Sequence, residues 1–245
     1  MNHTEMSQIS LFKKRKRTRV AGKLVKLGRP VTTHTGARER RVAFRRSRVV
    51  HLTLRLREGL PNLRTRKGAQ IVKRAILGAQ SRGLRVIHFS ILSNHIHLIC
   101  EALSLSVLMN SMKSLTSRMG IHLRRLIKEQ KHHSNRLEVL DKEGLGLFRG
   151  RYNLQAIQNP AQMKQTLAYV LLNPAKHFKK APYLDAFTSA AIFEDWQKLI
   201  GRELNLNSSL ATLKKNLKEF LAPPQLWLTQ AGWAKARLRL RSDFS

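Results

Sequence analysis

"ILSNHIHLICEA", residues 91–102, decides how the fold is read. Ile91 and Leu92 end one apolar run, Ser93-Asn94 is a turn pair, and His95 opens a second apolar run. With the preceding "LRVIHFSIL" (84–92), the stretch reads as two adjacent antiparallel strands. Side chains alternate along a strand, so Ile96, Leu98 and Cys100 share one face, and His95 and His97 share the other. The two imidazoles stand roughly 6–7 Å apart along the backbone. Burying imidazole is costly unless both ring nitrogens find partners. The pair is therefore either two ordinary histidines on an open sheet face or two ligands for one ion. With no thiolate nearby, imidazole plus oxygen donors suits Mg²⁺ or Mn²⁺, with Zn²⁺ second.

The neighbouring segments supply the rest of a sheet and its cover. In "VVHLTLRLREG" (49–59), Val50, Leu52, Leu54 and Leu56 alternate with His51, Thr53, Arg55 and Arg57, the pattern of a half-buried strand. In "KGAQIVKRAILGAQSRG" (67–83), Ile71, Val72, Ala75, Ile76 and Ala79 recur at helical spacing, and Gly83 ends the pattern. Residues 103–129 read as a second helix, with Leu108, Met112, Leu115 and Met119 inside and Ser104 or Ser106 as cap. "KEQKHHSNRLEVLDKEGLG" (128–146) is polar and reads as a loop or mobile insertion, with His132 and His133 exposed to solvent. "LFRGRYNLQAI" (147–157) reads as strand-like.

"NPAQMKQTLAYVLLNPAKH" (159–177) is a punctuated helix. Asn159 can cap it, Pro160 suits its first turn, Gln162 completes a capping box, and Pro174 stops it. Met163, Leu167, Val170 and Leu171 form its core side. Gln162, Gln165 or Thr166, Tyr169 and Asn173 form a polar stripe, and Tyr169 and Asn173 are one turn apart. The residue before a proline is pushed away from helical geometry, so the direction of the Asn173 amide is left open. Beyond residue 183, "FEDWQKLIGREL" and "SLATLKKNLKEFLA" read as further helices before a Trp-bearing tail.

The sum is an α+β fold: a ferredoxin-like antiparallel sheet with helices on one face, over residues 47–182. A basic arm (1–46) precedes it and a helical extension (183–245) follows. The formal charge is +33, from 47 basic and 14 acidic residues, an excess that calls for a polyanion, and nucleic acid is the first partner to consider. Lys13–Arg19, Lys26–Pro30 and Ala37–Arg48 concentrate cations in a disordered or extended arm suited to phosphates. Its "LGRP" shares Gly-Arg-Pro with the AT-hook and is read as a basic linker. The candidate phosphate contacts are Lys26, Arg29, Arg45 and Arg46 in the arm, with Arg55, Arg149 and Arg151 beside the strands. One cysteine excludes an internal disulfide framework. With no apolar run of signal-peptide or membrane-spanning length, the expectation is a cytoplasmic, nucleoid-associated protein that engages no membrane.

"SNHIHLICEA", the helix bearing Met112 and Arg118, "LFRGRY" and "AYVLLNPAKH" together resemble the REP-associated branch of the single-tyrosine HUH transposases. The resemblance spans roughly residues 45–180. It implies the ferredoxin-like fold and a bacterial origin. It implies His95, His97 and Asn173 as ligands of Mg²⁺ or Mn²⁺, and Tyr169 as the nucleophile. The implied activity is cleavage and rejoining of single-stranded DNA beside hairpins through a 5′-phosphotyrosine. A monomer is expected over a dimer. Tyr152, in "RGRY", is the competing nucleophile, ahead of Tyr183. The alternative function is a non-catalytic protein that binds hairpin DNA or RNA, which the charge alone would explain.

Overall fold

The computed structural model describes residues 18–20, 23–25, 44, 46–177, 185–201 and 209–236. Lys26, Arg29, Arg45 and Tyr183 lie outside these residues. The chain divides into two units, residues 1–42 and 43–245. In the first, β1 (Thr18–Val20) pairs antiparallel with β2 (Lys23–Val25).

The second unit is built on β3 (Arg48–Arg55), β4 (Arg85–Ile91), β5 (His95–Ala102) and β6 (Asn153–Ile157). Their order across the sheet is β4-β5-β3-β6, and every pairing is antiparallel. With α1 (Arg66–Gln80) between β3 and β4, and α2 (Leu105–Glu129) between β5 and β6, this is the ferredoxin-like α+β arrangement. Thr65 caps α1 by accepting the Gly68 N–H, and Ser104 caps α2 by accepting the Val107 N–H. The β4–β5 turn falls at Ser93-Asn94, closed by the Leu92 N–H donating to the His95 carbonyl at 2.8 Å.

The alternation predicted for β3 and β5 divides the sheet into two faces. Val50, Leu52, Leu54, Ile96, Leu98 and Cys100 enter the larger core beneath α1 and α2. Val49, Ile99 and Ile157 look the other way. There they bury Met163, Leu167, Ala168, Val170 and Leu171 of α4 (Pro160–His177). The fourth helix thus adds a partial layer on the face that carries the histidines.

Three expectations are corrected. The polar stretch after α2 is no loop: α3 (Lys131–Lys142) forms there, with Leu137 and Leu140 buried in the larger core and Asp141 paired to Arg124 at 2.7 Å. His133 is half-buried, and its ring donates to the Gly59 carbonyl at 3.1 Å. Pro174 does not end α4, which continues to His177. A proline inside a helix costs roughly 3 kcal/mol, and burial of Leu167, Val170, Leu171 and Leu172 offsets it. Beyond α4, within the described part (193–201) of the helix expected over 193–204, α5 is Trp196–Ile200, closed by Gly201 at φ +76°. α6 (Ser209–Phe220) forms as expected, followed by α7 (Trp227–Gln230) and a 3-10 turn at Gly232–Lys235.

These C-terminal pieces are tied to the sheet. Residues 187–189 hydrogen-bond along the free edge of β4, where the Ile91 N–H donates to Phe187 at 2.9 Å and the Ser189 N–H to Phe89 at 3.0 Å. The buried Glu101 carboxylate of β5 accepts the backbone N–H groups of Gln225 and Leu226 and the Thr229 hydroxyl, and pairs with Arg85. No described helix is long and apolar enough to cross a membrane.

Candidate active site

Register, which sequence alone does not reveal, assembles the site. Thr53 lies opposite His97 on one side and Asn153 on the other, and His97 lies opposite Ser90. A polar row, Asn153-Thr53-His97-Ser90, therefore crosses all four strands. Flanking it are the pairs Arg55–His95 and His51–Gln155. α4 packs on the apolar end of this face, and its Gln162, Gln165, Thr166 and Tyr169 roof the polar end. Between roof and floor is a cleft of about 500 Å³. His51, Thr53, Arg55, His95 and His97 form its floor.

The Asn159 cap sets the direction of α4. Its side chain accepts the Gln162 N–H at 2.9 Å, and the Gln162 side chain accepts the Gln158 N–H at 2.8 Å. From that start, residues 162, 166 and 169 recur on one side of the helix. Tyr169 is 38% exposed. Its ring meets the His97 ring edge-on, with centroids 5.1 Å apart, and lies 6.0 Å from that of His51. The His95 and His97 rings are 4.9 Å apart and nearly perpendicular.

The ring nitrogens are oriented. His95 Nδ1 stands 2.8 Å from Asn94 Oδ1, so it donates there and its lone pair is at Nε2. His97 Nδ1 stands 3.0 Å from Thr53 Oγ1 and 3.1 Å from His51 Nε2, both able to accept its proton. Burial holds the His51 pKa below the usual imidazole value, against a smaller opposing effect from its hydrogen bond to Gln155. With the His97 proton on Nδ1, Thr53 and His51 accept it, and the His97 lone pair is then also at Nε2. Both tautomers are those of metal-ligating histidines whose other nitrogen is tied down.

The structure brings His95, His97 and Tyr169 together. Asn173, one turn beyond Tyr169, is 2% exposed and does not line the cleft. Neither atom of its side-chain amide has a hydrogen-bond partner among the described residues, a state that costs about 1–3 kcal/mol. Among the described residues, no three His, Cys, Asp or Glu side chains form a metal-holding cluster. The two imidazoles at the cleft are neutral nitrogen donors that fit a divalent cation, and the orphaned Asn173 amide lies outside the cleft lining.

Arg55 is exposed at the cleft, and its carbonyl accepts the Arg149 N–H at 2.9 Å, which holds the exposed Arg149 beside it. Arg151 is exposed two residues on, past a turn at Gly150 with φ +75°. Arg46 is exposed but sits at a different groove, past the start of β3. Tyr152 packs against the larger core and does not line the cleft. Sequence reasoning did not assign His51 and Gln155 to the site. The signal for His51 was its place on the polar face of "VVHLTLRL". Gln155 required the β3–β6 register.

No protein-family profile matches the chain, and no curated protein matches it. Among solved structures, the chain is similar to a REP-associated tyrosine transposase bound to a REP hairpin, at 18% identity and a TM-score of 0.43, over 58% of this chain and 74% of that one. It is also similar to a candidate transposase from Deinococcus radiodurans R1, at 18% identity and a TM-score of 0.32, over 54% of this chain and 95% of that one.

Proposed function

We propose that the protein cleaves and rejoins single-stranded DNA beside hairpins, with Tyr169 as nucleophile. The observation that carries this reading is the half-exposed Tyr169 ring set edge-on against His97 over a polar cleft lined by Arg55. Attack by the phenol oxygen on phosphorus forms the tyrosyl–phosphate bond and breaks the bond to the 3′ oxygen. The 5′ end stays on the protein, and the 3′ oxygen leaves as a hydroxyl, taking up the proton the phenol gave up. The reverse step rejoins strands without a nucleotide cofactor, because the phosphotyrosine keeps the bond energy. His95, His97 and Asn173 are the residues that would hold Mg²⁺ or Mn²⁺. That ion, when bound, draws negative charge from a non-bridging phosphate oxygen. Arg55 and Arg149 place the backbone phosphates. The floor histidines and Thr53 keep the cleft polar beneath the scissile group.

The test is incubation with end-labelled single-stranded hairpin DNA and Mn²⁺, followed by denaturing electrophoresis. The expected result is a covalent adduct that EDTA prevents, that Tyr169→Phe abolishes with hairpin affinity unchanged within about threefold, and that His95→Ala abolishes as well. Salt-sensitive hairpin binding with no cleavage, indifferent to EDTA and to His95→Ala, would replace this reading with that of a binding protein.

A further inference from the structure

A second groove, past the start of β3, takes no part in the proposed cleavage. It measures about 520 Å³ and lies among Arg46, Arg48, Val49, Ile157 and Trp227. Trp227 is 51% exposed, whereas the chain's other two tryptophans, Trp196 and Trp233, are each 2% exposed. Leaving an indole in water forgoes the hydrophobic gain of burying it. Yet this indole is seated: a Cβ on Gly232 would stand 2.7 Å from its ring carbon Cε3, so the ring lies against glycine on one side. Lys235 Nζ is 5.6 Å from the ring centroid. Arg46 and Arg48 are exposed along the same groove, and among the described residues no carboxylate lines it.

A seated aromatic ring with three cations and no acid is the chemistry that receives a nucleobase and its phosphates. Other ligands fit less well. A carboxylate peptide would use the arginines but not the indole, and an apolar helix would leave the cations unpaired. We propose that Trp227 is a stacking site for an unpaired base of the same DNA strand that the Tyr169 cleft takes. The inference rests on the DNA reading above. Val49 at this groove and Thr53 at the cleft share one face of β3, roughly 13 Å apart. That is within the reach of a few nucleotides. Arg46 and Arg48 neutralise the phosphates beside the stacked base, and Gly232 keeps the ring face in place.

The test is tryptophan fluorescence of the full chain titrated with a short single-stranded oligothymidylate in EDTA, with affinity measured in parallel by anisotropy of the labelled oligonucleotide. Because Trp196 and Trp233 are buried, a quench reports Trp227. The expected result is a quench in the wild type. Trp227→Ala should lose it and bind about 5- to 100-fold more weakly, the usual alanine cost of a base stack. Trp227→Phe should recover part of that affinity. Gly232→Ala, which pushes on the ring, should weaken binding with the indole still present. Wild-type binding without a quench, or undiminished affinity of a folded Trp227→Ala protein, would overturn the inference and leave the cleavage proposal standing. A matched oligouridylate that binds tenfold tighter through Trp227 would overturn the assignment to DNA. A quench and affinity loss as expected, with no hairpin cleavage by the wild type, would support this site while refuting the cleavage proposal.

Discussion

His97 is defined by its neighbours. Thr53 and His51 both stand within hydrogen-bond distance of its Nδ1, and its ring edge meets Tyr169. His51 is the less obvious member, since its role in this account is to keep the His97 proton on Nδ1. Losing such an outer partner typically lowers metal affinity by about 10–100-fold. His51→Phe is therefore expected to weaken Mn²⁺ binding by that factor in isothermal titration, with hairpin affinity in EDTA unchanged. Equal Mn²⁺ affinity would mean that Thr53 alone fixes the ring. His88, on the same strand as Ser90, serves a different purpose. It is buried against Ser189, and burial depresses its pKa to about 4. Between pH 6.5 and about 4 the unfolded chain binds this proton and the folded chain does not, so stability falls as pH falls through that window. The contribution is on the order of 3 kcal/mol. Chemical denaturation from pH 7 to 4.5 should show the decline, and His88→Gln should flatten it.

The elements differ in how openly the sequence declares them. β3, β5, α1 and α2 carry long, regular apolar patterns, and each forms where its pattern puts it. Among the described side chains of α3, Leu137 and Leu140 are the buried ones, too sparse a stripe to separate from a polar loop. α4 was legible at its start, where Asn159, Pro160 and Gln162 are strong local signals. It was misread at its end, because a local rule about Pro174 competes with tertiary burial that no local window contains. The site divides in the same way. His95, His97 and Tyr169 were legible from alternation and motif. The contacts of His51 and Gln155 depend on strand register, which is a long-range property. If α3 is integral to the domain, Leu140→Ala should lower unfolding free energy by about 2–5 kcal/mol in urea denaturation. A loss under about 0.5 kcal/mol would return the segment to the status of a tolerated insertion.

At the scale of the whole molecule, charge and anchoring dominate. The formal charge of +33 is what remains after 14 acidic residues are set against 47 basic ones, so it cannot be neutralised internally. Among the described residues, two of those are buried in ion pairs. Asp185 pairs with Arg64 at 2.6 Å, and Glu101 holds residues 225–229 through backbone N–H groups and the Thr229 hydroxyl. Glu101 thereby fixes the C-terminal pieces, Trp227 among them, against the sheet. A cationic surface of this size predicts a steep salt dependence for DNA binding. The slope of log K against log salt for single-stranded DNA should be steeper than about −3, and a slope near zero would remove phosphate contact as the main source of affinity.

The central claim is that one phenol, Tyr169, carries the broken strand. Mass spectrometry of the protein after reaction with a single-stranded hairpin substrate and Mn²⁺, then proteolysis and nuclease trimming, tests it most directly. The expected result is a nucleotide mass on the peptide containing Tyr169, attached at that residue. The same mass on Tyr152, or hairpin cleavage with no covalent protein product, would contradict it.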